Sequence, residues 1–169
     1  VYKDKEGFVW FGTRNGLSRY DGRQITNFEQ SNSYPSISNL KEVFDGVLAF
    51  VDNGVFSAFD LKKERFLSVV SSSGQGIPSR GMLQKNDSLV WVISGSELHL
   101  MKRCASKEGE LRLRIQEKYT GWDNQDNLLV AITYSSDKKS ICLIDEKGRI
   151  ILLDTTNLNS FRVIDLGRT

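Results

Sequence analysis

The sequence has little of what nucleophilic or metal-assisted catalysis requires. His99 is the only histidine among 169 residues, and no Gly-x-Ser-x-Gly motif is present to accompany it. Because His99 lies in an apolar run without a metal-ligating set nearby, a packed strand residue is favoured over a ligand or base. The segment Gly74-Gln75-Gly76 lacks the Lys-Ser/Thr that completes a phosphate-binding loop. We therefore predict no catalytic site, no metal and no cofactor.

Cysteine is also scarce. Cys104 and Cys142 are 38 residues apart, and there is no CxxC pair of the kind typical of zinc or redox sites. Two small buried hydrophobic side chains are the simpler interpretation. A disulfide stays open as an alternative, because the sequence does not give the distance between the two Cα atoms.

Long apolar runs and clustered charge are absent as well. No run approaches the roughly 18 residues that span a bilayer. The net charge is +2, from 23 basic and 21 acidic residues, and the dispersed basic residues give no support for nucleic-acid binding. The chain begins at Val1 without a signal-peptide pattern, so we expect a fragment whose targeting segment lies elsewhere.

What the sequence does contain is a repeat of apolar segments and turns. With Trp10, Leu48, Trp91 and Val130 taken as equivalent, the units are spaced by 38, 43 and 39 residues. Consecutive apolar residues indicate a strand covered on both faces, and Asn15-Gly16 suits a hairpin turn. A fixed period near 40 residues built from short strands predicts a propeller or a solenoid.

Further strands complete each unit. A third strand is expected at 24–28, 65–70, 111–115 and 149–153, and polar connections lead into others at 40–44 and 82–85. Four strands per unit make a propeller blade, and no segment shows helical periodicity. We predict an all-β partial β-propeller with blades at 1–36, 37–76, 77–118 and 119–156, and a further blade starting at 157–169. The space near 116–127 predicts one short or irregular blade.

Four blades in an open ring would leave apolar faces of the terminal blades in water. Exposing roughly 400 Å² of apolar surface forgoes about 10 kcal/mol at ~25 cal/mol/Å², which is comparable with the stability of a whole domain. We therefore expect these blades to belong to a larger ring of about seven blades. The ring would be completed by the remaining propeller blades of the same protein or by a partner. A small closed four-bladed propeller is the alternative.

The segment 4–22, DKEGFVWFGTRNGLSRYDG, closely resembles the two-component regulator propeller repeat, and 77–100 resembles it more weakly. The matching positions are Asp4 and Gly7, Trp10, Gly12-Thr13, Gly16-Leu17 and Tyr20-Asp21. The resemblance implies a non-catalytic, periplasmic sensor region of a hybrid histidine kinase. Such a region looks like a sensor of oligosaccharides released from polysaccharides, commonly homodimeric, that signals through a membrane segment outside this chain.

Candidate ligand-binding residues come from the loops. Trp122 lies in the polar segment 119–127, where an exposed indole could stack on a sugar while neighbouring polar groups bond its hydroxyls. Packing of that loop is the alternative, whereas Trp10 and Trp91 are interpreted as blade packing. Loops of a propeller that share one face would bring further candidates together. These are Arg14, Asn53 and Lys138 in hairpins, and Tyr34 and Arg80 in inter-blade connections.

Two other functions stay open at this point. One is a protein-interaction propeller that docks a partner and binds no small ligand. The other is a propeller lyase or glycosidase, which would need clustered acids or a metal set on one face of the ring.

Overall fold

A computed structural model describes residues 1–29, 36–122 and 127–165 of the chain. In these ranges the chain forms sixteen β-strands in three sheets and contains no helix, which confirms the predicted all-β class. The same described ranges hold no helix that is long and apolar enough to cross a membrane.

The strands fall into four consecutive groups of four, which we number as blades. The first blade contains β1 (Tyr2–Lys3), β2 (Val9–Thr13), β3 (Gly16–Tyr20) and β4 (Ile25–Glu29). The second contains β5 (Ile37–Phe44), β6 (Val47–Asp52), β7 (Val55–Asp60) and β8 (Arg65–Ser71). The third contains β9 (Gly81–Asn86), β10 (Leu89–Ser94), β11 (Glu97–Cys104) and β12 (Glu110–Tyr119). The fourth contains β13 (Leu129–Tyr134), β14 (Ser140–Asp145), β15 (Ile150–Asp154) and β16 (Phe161–Ile164).

Neighbouring strands within each blade are antiparallel and joined by short turns. The Asn53-Gly54 turn has positive φ at both residues, 49° and 80°, as a type I′ hairpin requires. The first hairpin differs from the sequence expectation, because Gly16 already pairs with Thr13 and the turn residues are Arg14 and Asn15. Gly16 takes a φ of 126° at the first position of its strand.

The second and third blades are joined into one eight-stranded sheet. Their outer strands β8 and β12 pair in parallel, from Ser68 opposite Glu110 to Ser71 opposite Leu113. Their inner strands β5 and β9 also lie side by side. The result is a nearly closed sheet around an apolar core that includes Val43, Val90 and Leu113.

The other blades pack face to face against this central pair. Trp10 and Leu17 of the first blade meet Phe50 and Phe59 of the second in one core. A second core lies between the third and fourth blades and is formed by Trp91, Ile93, Leu98, Leu100, Ile141, Leu143 and their neighbours. Blades stacked on both faces explain the consecutive apolar residues of β6, whose six side chains are all buried.

The fourth blade differs from the sequence prediction by one strand. The apolar run at Leu129–Tyr134 was expected as a second strand, but it is the first strand of its sheet. Phe161–Ile164 pairs with β15 as the fourth strand, so it does not begin a further blade as expected for 157–169. The short or irregular blade predicted near 116–127 has the same origin. That segment does not need to contain the first strand of the fourth blade, because this strand is β13, which comes after it.

Candidate functional site

The stacked blades have two edges, one of which carries the turns between second and third strands. This upper edge holds the β6–β7 turn and the connections into β5 and β9, which are tied together by backbone hydrogen bonds. The amide of Asn53 donates to Ser36 O at 3.4 Å, and the amide of Ser79 donates to Gly54 O at 2.8 Å. The amide of Arg80 donates to Ile93 O, next to the β10–β11 turn.

Three of the predicted site residues lie at the upper edge. Asn53 and Arg80 occupy the turn and the connection just described, and Arg14 lies in the β2–β3 turn beside the start of β5. The structure therefore brings these three to one edge, where their role in binding stays a prediction. Tyr34 lies outside the described residues.

Lys138 lies at the opposite, lower edge. The start of β13 meets the upper edge, where Leu129 N donates to Gly95 O. At the other end of β13 the Tyr134 hydroxyl donates to Gln84 O at 3.0 Å, near the β9–β10 turn. Grouping Lys138 with Arg14 and Asn53 was therefore wrong, because β13 is a first strand and its hairpin turns at the other edge.

Trp122 is packed rather than presented to solvent. Only 8% of the residue is exposed, and its indole N–H donates to Ser96 O at 2.9 Å. Its ring meets Phe161 edge-on at a centroid distance of 5.8 Å. This geometry favours the packing interpretation over an exposed stacking platform. Trp10 and Trp91 are buried as well, as predicted for blade packing.

An opening lies between the first two blades at the lower edge, and we call it the first cleft. Its volume is about 470 Å³, and Asp4, Phe8, Arg19, Glu42 and Asp45 are among its lining residues. A cavity of this size falls in the range of small-molecule sites, roughly 300–1,000 Å³.

Arg19 lines the first cleft and lies over three aromatic rings, of which Phe8 and Trp10 also line the cleft. Its guanidinium carbon lies 4.7 Å from the ring centroid of Phe8, 5.5 Å from Phe28 and 5.6 Å from Trp10. One guanidinium nitrogen is paired with Glu64. Alternation along β3 explains this position, because Arg19 shares a face with the buried Leu17.

Both lysines of the first cleft pair with acids that line it. Lys5 lies 3.4 Å from carboxylate oxygens of both Glu42 and Asp45, and Lys62 lies 3.2 Å from Asp45. The Tyr2 hydroxyl donates to Glu42 at 3.0 Å. Burial, reinforced by this hydrogen bond, raises the pKa of Tyr2 to about 12. The cleft can therefore offer aromatic surface and paired charges, but few uncommitted polar groups.

A second cleft of about 340 Å³ opens between the third and fourth blades at the lower edge. Its lining residues are Gln84, Lys85, Trp91, Tyr134, Lys138 and Thr155. Two of them are lysines and none is acidic. The sequence pointed to Lys138 but not to Lys85. The one feature of the sequence that could have indicated Lys85 is its position near the end of β9, next to a turn.

Carboxylates at the turns serve mainly as acceptors for backbone amides. Asp21 accepts from the amides of Arg23 and Gln24, and Asp60 does the same for Lys62 and Lys63. Among the residues that the structure describes, no group of three or more His, Cys, Asp or Glu side chains is placed to hold a metal ion. Cys104 and Cys142 are both free thiols and are only half-buried, so neither the disulfide nor the interpretation as two buried side chains holds.

The single histidine is buried on β11 beside Glu97. His99 Nε2 lies 2.6 Å from the Glu97 carboxylate, which also pairs with Lys118 at 3.3 Å. The hydrogen bond from His99 lowers the pKa of Glu97, and Lys118 adds to this, while burial acts in the opposite direction. The Glu97–Lys118 ion pair therefore joins β11 to β12, and the contact with Glu97 explains His99 as a satisfied strand residue.

Acid is expected to remove this contribution to stability. Because the pKa of Glu97 is lowered on folding, its ionised form stabilises the protein above the ordinary value of 4.5 and the effect disappears as the pH falls through the folded pKa. Glu97→Gln should cost under about 1 kcal/mol at pH 7, since the carboxylate is partly exposed, and less at pH 3. Urea unfolding at both pH values measures this; an equal loss at both would contradict it.

Comparison with known proteins gives likenesses of fold. No family model and no curated protein matches the sequence. Among solved structures, the extracellular domain of BT3049 from B. thetaiotaomicron, assigned as a hybrid two-component system, is similar with a TM-score of 0.73 and 16% identity. That likeness covers 98% of this chain but only 22% of the other, so the chain spans about a fifth of that domain's length.

Two further structures share the fold. The β-propeller domain of Myceliophteria thermophila Cps50 (Swd1) has a TM-score of 0.65 at 15% identity, covering 99% of this chain and 55% of that one. Virginiamycin B lyase from Staphylococcus aureus has a TM-score of 0.62 at 11% identity, with coverages of 99% and 55%. The chain thus has a β-propeller fold, which it shares with an extracellular domain of the two-component class that its opening motif resembles.

Proposed function

We propose that this chain is part of the ligand-sensing propeller of an extracytoplasmic, periplasmic sensor domain in a hybrid two-component regulator, and that its ligand is an oligosaccharide. The observation that carries the proposal is the likeness of nearly the whole chain to the extracellular domain of such a system. The opening motif at 4–22 supports it independently, because it resembles the propeller repeat of the same class.

The clefts between blades suit an oligosaccharide. Sugars present apolar C–H faces that pack on aromatic rings and hydroxyls that need polar partners. Phe8 and Arg19 supply this combination in the first cleft, and Tyr134 and Lys138 supply it in the second. Both clefts are open at the lower edge, where a ligand can enter between two blades.

A ligand seated between blades is well placed to signal. It contacts two blades at once, so its affinity depends on their relative position. A ligand that binds one arrangement more tightly shifts the population towards that arrangement, and one that binds both equally shifts nothing. In a homodimer this shift would change how the two membrane segments, which lie outside this chain, approach each other.

The outward face of the fourth blade supports the presence of further blades. Val130 and Ile144 are each more than a third exposed on this face. On β15, Ile150 lies opposite Ile144 and Leu152 lies opposite Cys142. We propose that another blade of the same protein covers it, because burying an apolar sheet face is strongly favourable. The same face favours a second candidate function, a propeller that docks a protein partner there.

A thermal-shift screen of the complete extracytoplasmic region against defined oligosaccharides tests the proposed function. One glycan class should raise Tm saturably, since a ligand at 100 times its Kd stabilises by about 2.7 kcal/mol. The glycan should be recovered intact, whereas cleavage would point to the enzyme alternative. Arg80→Ala, at the upper edge, reports whether that edge takes part. A flat response from a well-folded sample would contradict the proposal in favour of partner docking.

A further inference from the structure

We infer that the second cleft, between the third and fourth blades, binds the acidic group of an anionic sugar residue, either a uronate or a sulfated sugar. This inference rests on the proposed function and names the chemical class of its ligand. It assigns the lower edge of these two blades, rather than the loops of the upper edge, as the place where the ligand's charge is recognised.

The first step is the charge of the cleft. Its six lining residues include Lys85 and Lys138 and no acid. Within the described part of the chain, neither lysine forms an ion pair with a carboxylate. The first cleft is different, because Lys5, Lys62 and Arg19 are all paired there. Two uncompensated ammonium groups beside one cavity give a positive potential that favours an anion.

The second step is how the lysines are held. Lys85 Nζ lies 4.8 Å from the ring centroid of Trp91, a cation–π contact that keeps the ammonium over the cleft. Lys138 has a φ of 58° in the β13–β14 turn, and its amide donates to Ser135 O at 2.9 Å. One lysine therefore comes from each blade, so an anion between them joins the two blades.

The third step concerns the acid nearest to Lys138 in sequence. Asp137 does not line the cleft. Its carboxylate accepts from Ser135 Oγ at 2.6 Å and from the amide of Lys139 at 3.0 Å. These hydrogen bonds lower the pKa of Asp137 and commit it to its own turn. The carbonyl of Lys139 in turn accepts from the Thr155 hydroxyl at 2.9 Å, which fixes the hairpin against the cleft wall.

The fourth step is an unsatisfied donor in the cleft wall. Trp91 is 2% exposed, and its indole N–H has no well-aligned acceptor among the described residues, although it lies close enough to the Tyr134 hydroxyl to oppose the rise that burial causes in the pKa of Tyr134. A buried donor without an acceptor is costly in a native protein. Here it adds a partial positive charge next to Lys85. Tyr134, whose hydroxyl donates to Gln84 O, supplies further aromatic surface in the cleft beside Trp91.

Calorimetric titration of the complete extracytoplasmic region tests the inference with three matched probes. They are an oligogalacturonate, its fully methyl-esterified neutral form, and a sulfated galactan oligosaccharide. We expect at least one acidic probe to bind and the neutral ester not to bind at equal concentration. Which acidic probe binds distinguishes a carboxylate from a sulfate. The affinity should fall as salt is raised, because the recognition is ionic.

Lys85→Met and Lys138→Met should each weaken binding of the acidic probe about tenfold. Both lysines are exposed, so the Tm of the unliganded Lys138→Met variant should not change, and that of Lys85→Met should fall only by the small contribution of its cation–π contact with Trp91. Lys107→Met, an exposed lysine in the β11–β12 turn, is the matched control and should bind within twofold of the original protein.

The outcomes separate this inference from the proposed function. Binding of the neutral ester, or acidic binding unaffected by both cleft variants, overturns the inference while a glycan sensor still stands. Equal binding of inorganic sulfate or acetate overturns it in favour of a simple anion site. No binding by any glycan, from a folded sample, overturns both.

Discussion

Replacing Gly12 by alanine is expected to lower the free energy of unfolding by about 3 kcal/mol, at the upper end of what overpacking costs. A β-carbon at this position would lie 2.5 Å from Ile37 Cγ2, 2.8 Å from Ile37 Cβ and 2.9 Å from Ile37 O. The last of these atoms belongs to the backbone of β5, so no side-chain rotation relieves the clash. The first and second blades would have to separate, which also loosens their shared core. Urea unfolding of the extracytoplasmic region measures the change.

Gly76→Ala is the matched control for Gly12→Ala. A β-carbon at Gly76 would meet only Val55 Cγ1, at the ordinary distance of 3.7 Å. Its substitution should change stability by no more than about 1 kcal/mol, in either direction. Adding Ile37→Ala to Gly12→Ala should recover part of the loss, because it removes Cγ2 but leaves Cβ and the carbonyl. Full recovery, or equal effects at Gly12 and Gly76, would contradict the proposed backbone contact.

The position of Gly12 shows why the opening motif could predict the fold. Gly12 lets two blades approach, Leu17 enters the core between them, and Trp10 fills the same core. At these three positions the motif encodes contacts between blades. This is why the blade architecture could be predicted from the sequence while the binding site could not.

The strands that were predicted best are buried on both faces. β6 and β10 are runs of consecutive apolar residues between two turns, and runs of that length are too short for a helix. Their predicted bounds agree with the observed bounds to within a residue. The prediction of strand order in the fourth blade was wrong because β13 and β14 are similarly apolar, so the local pattern does not distinguish a first strand from a second. The wrong edge for Lys138 follows directly from that one-strand shift.

Long-range contacts account for the other differences. The parallel pairing of β8 with β12 joins residues more than 40 positions apart and leaves no local pattern. Trp122 is surrounded by polar residues in sequence, but it packs on Phe161 and bonds to Ser96, both distant along the chain. Alternation along β3 puts Arg19 on the Leu17 face, but its contacts with Phe8 and Phe28 depend on how the strands pair.

Asp4→Ala is expected to lower the free energy of unfolding by about 2–3 kcal/mol, because it leaves the buried indole N–H of Trp10 without an acceptor. Asp4 Oδ2 accepts from Trp10 Nε1 at 2.8 Å, while Oδ1 accepts from the amides of Glu6 and Phe8 at 3.0 and 2.9 Å. Gly7, at a φ of 94°, donates back to Asp4 O and closes the turn. The Asp-x-x-Gly motif is thus a turn that also anchors the core tryptophan.

Asp21→Ala separates the two roles of Asp4. Asp21 accepts two turn amides, at 2.7 and 2.8 Å, as Asp4 does, but it is exposed and bonds to no indole. Removing the Asp21 carboxylate should lower the free energy of unfolding by about 1 kcal/mol or less. Trp10→Phe should be less costly in the Asp4→Ala background than alone, with a coupling of about 1–2 kcal/mol. Additive losses at Asp4 and Trp10 would show that the carboxylate stabilises only the turn.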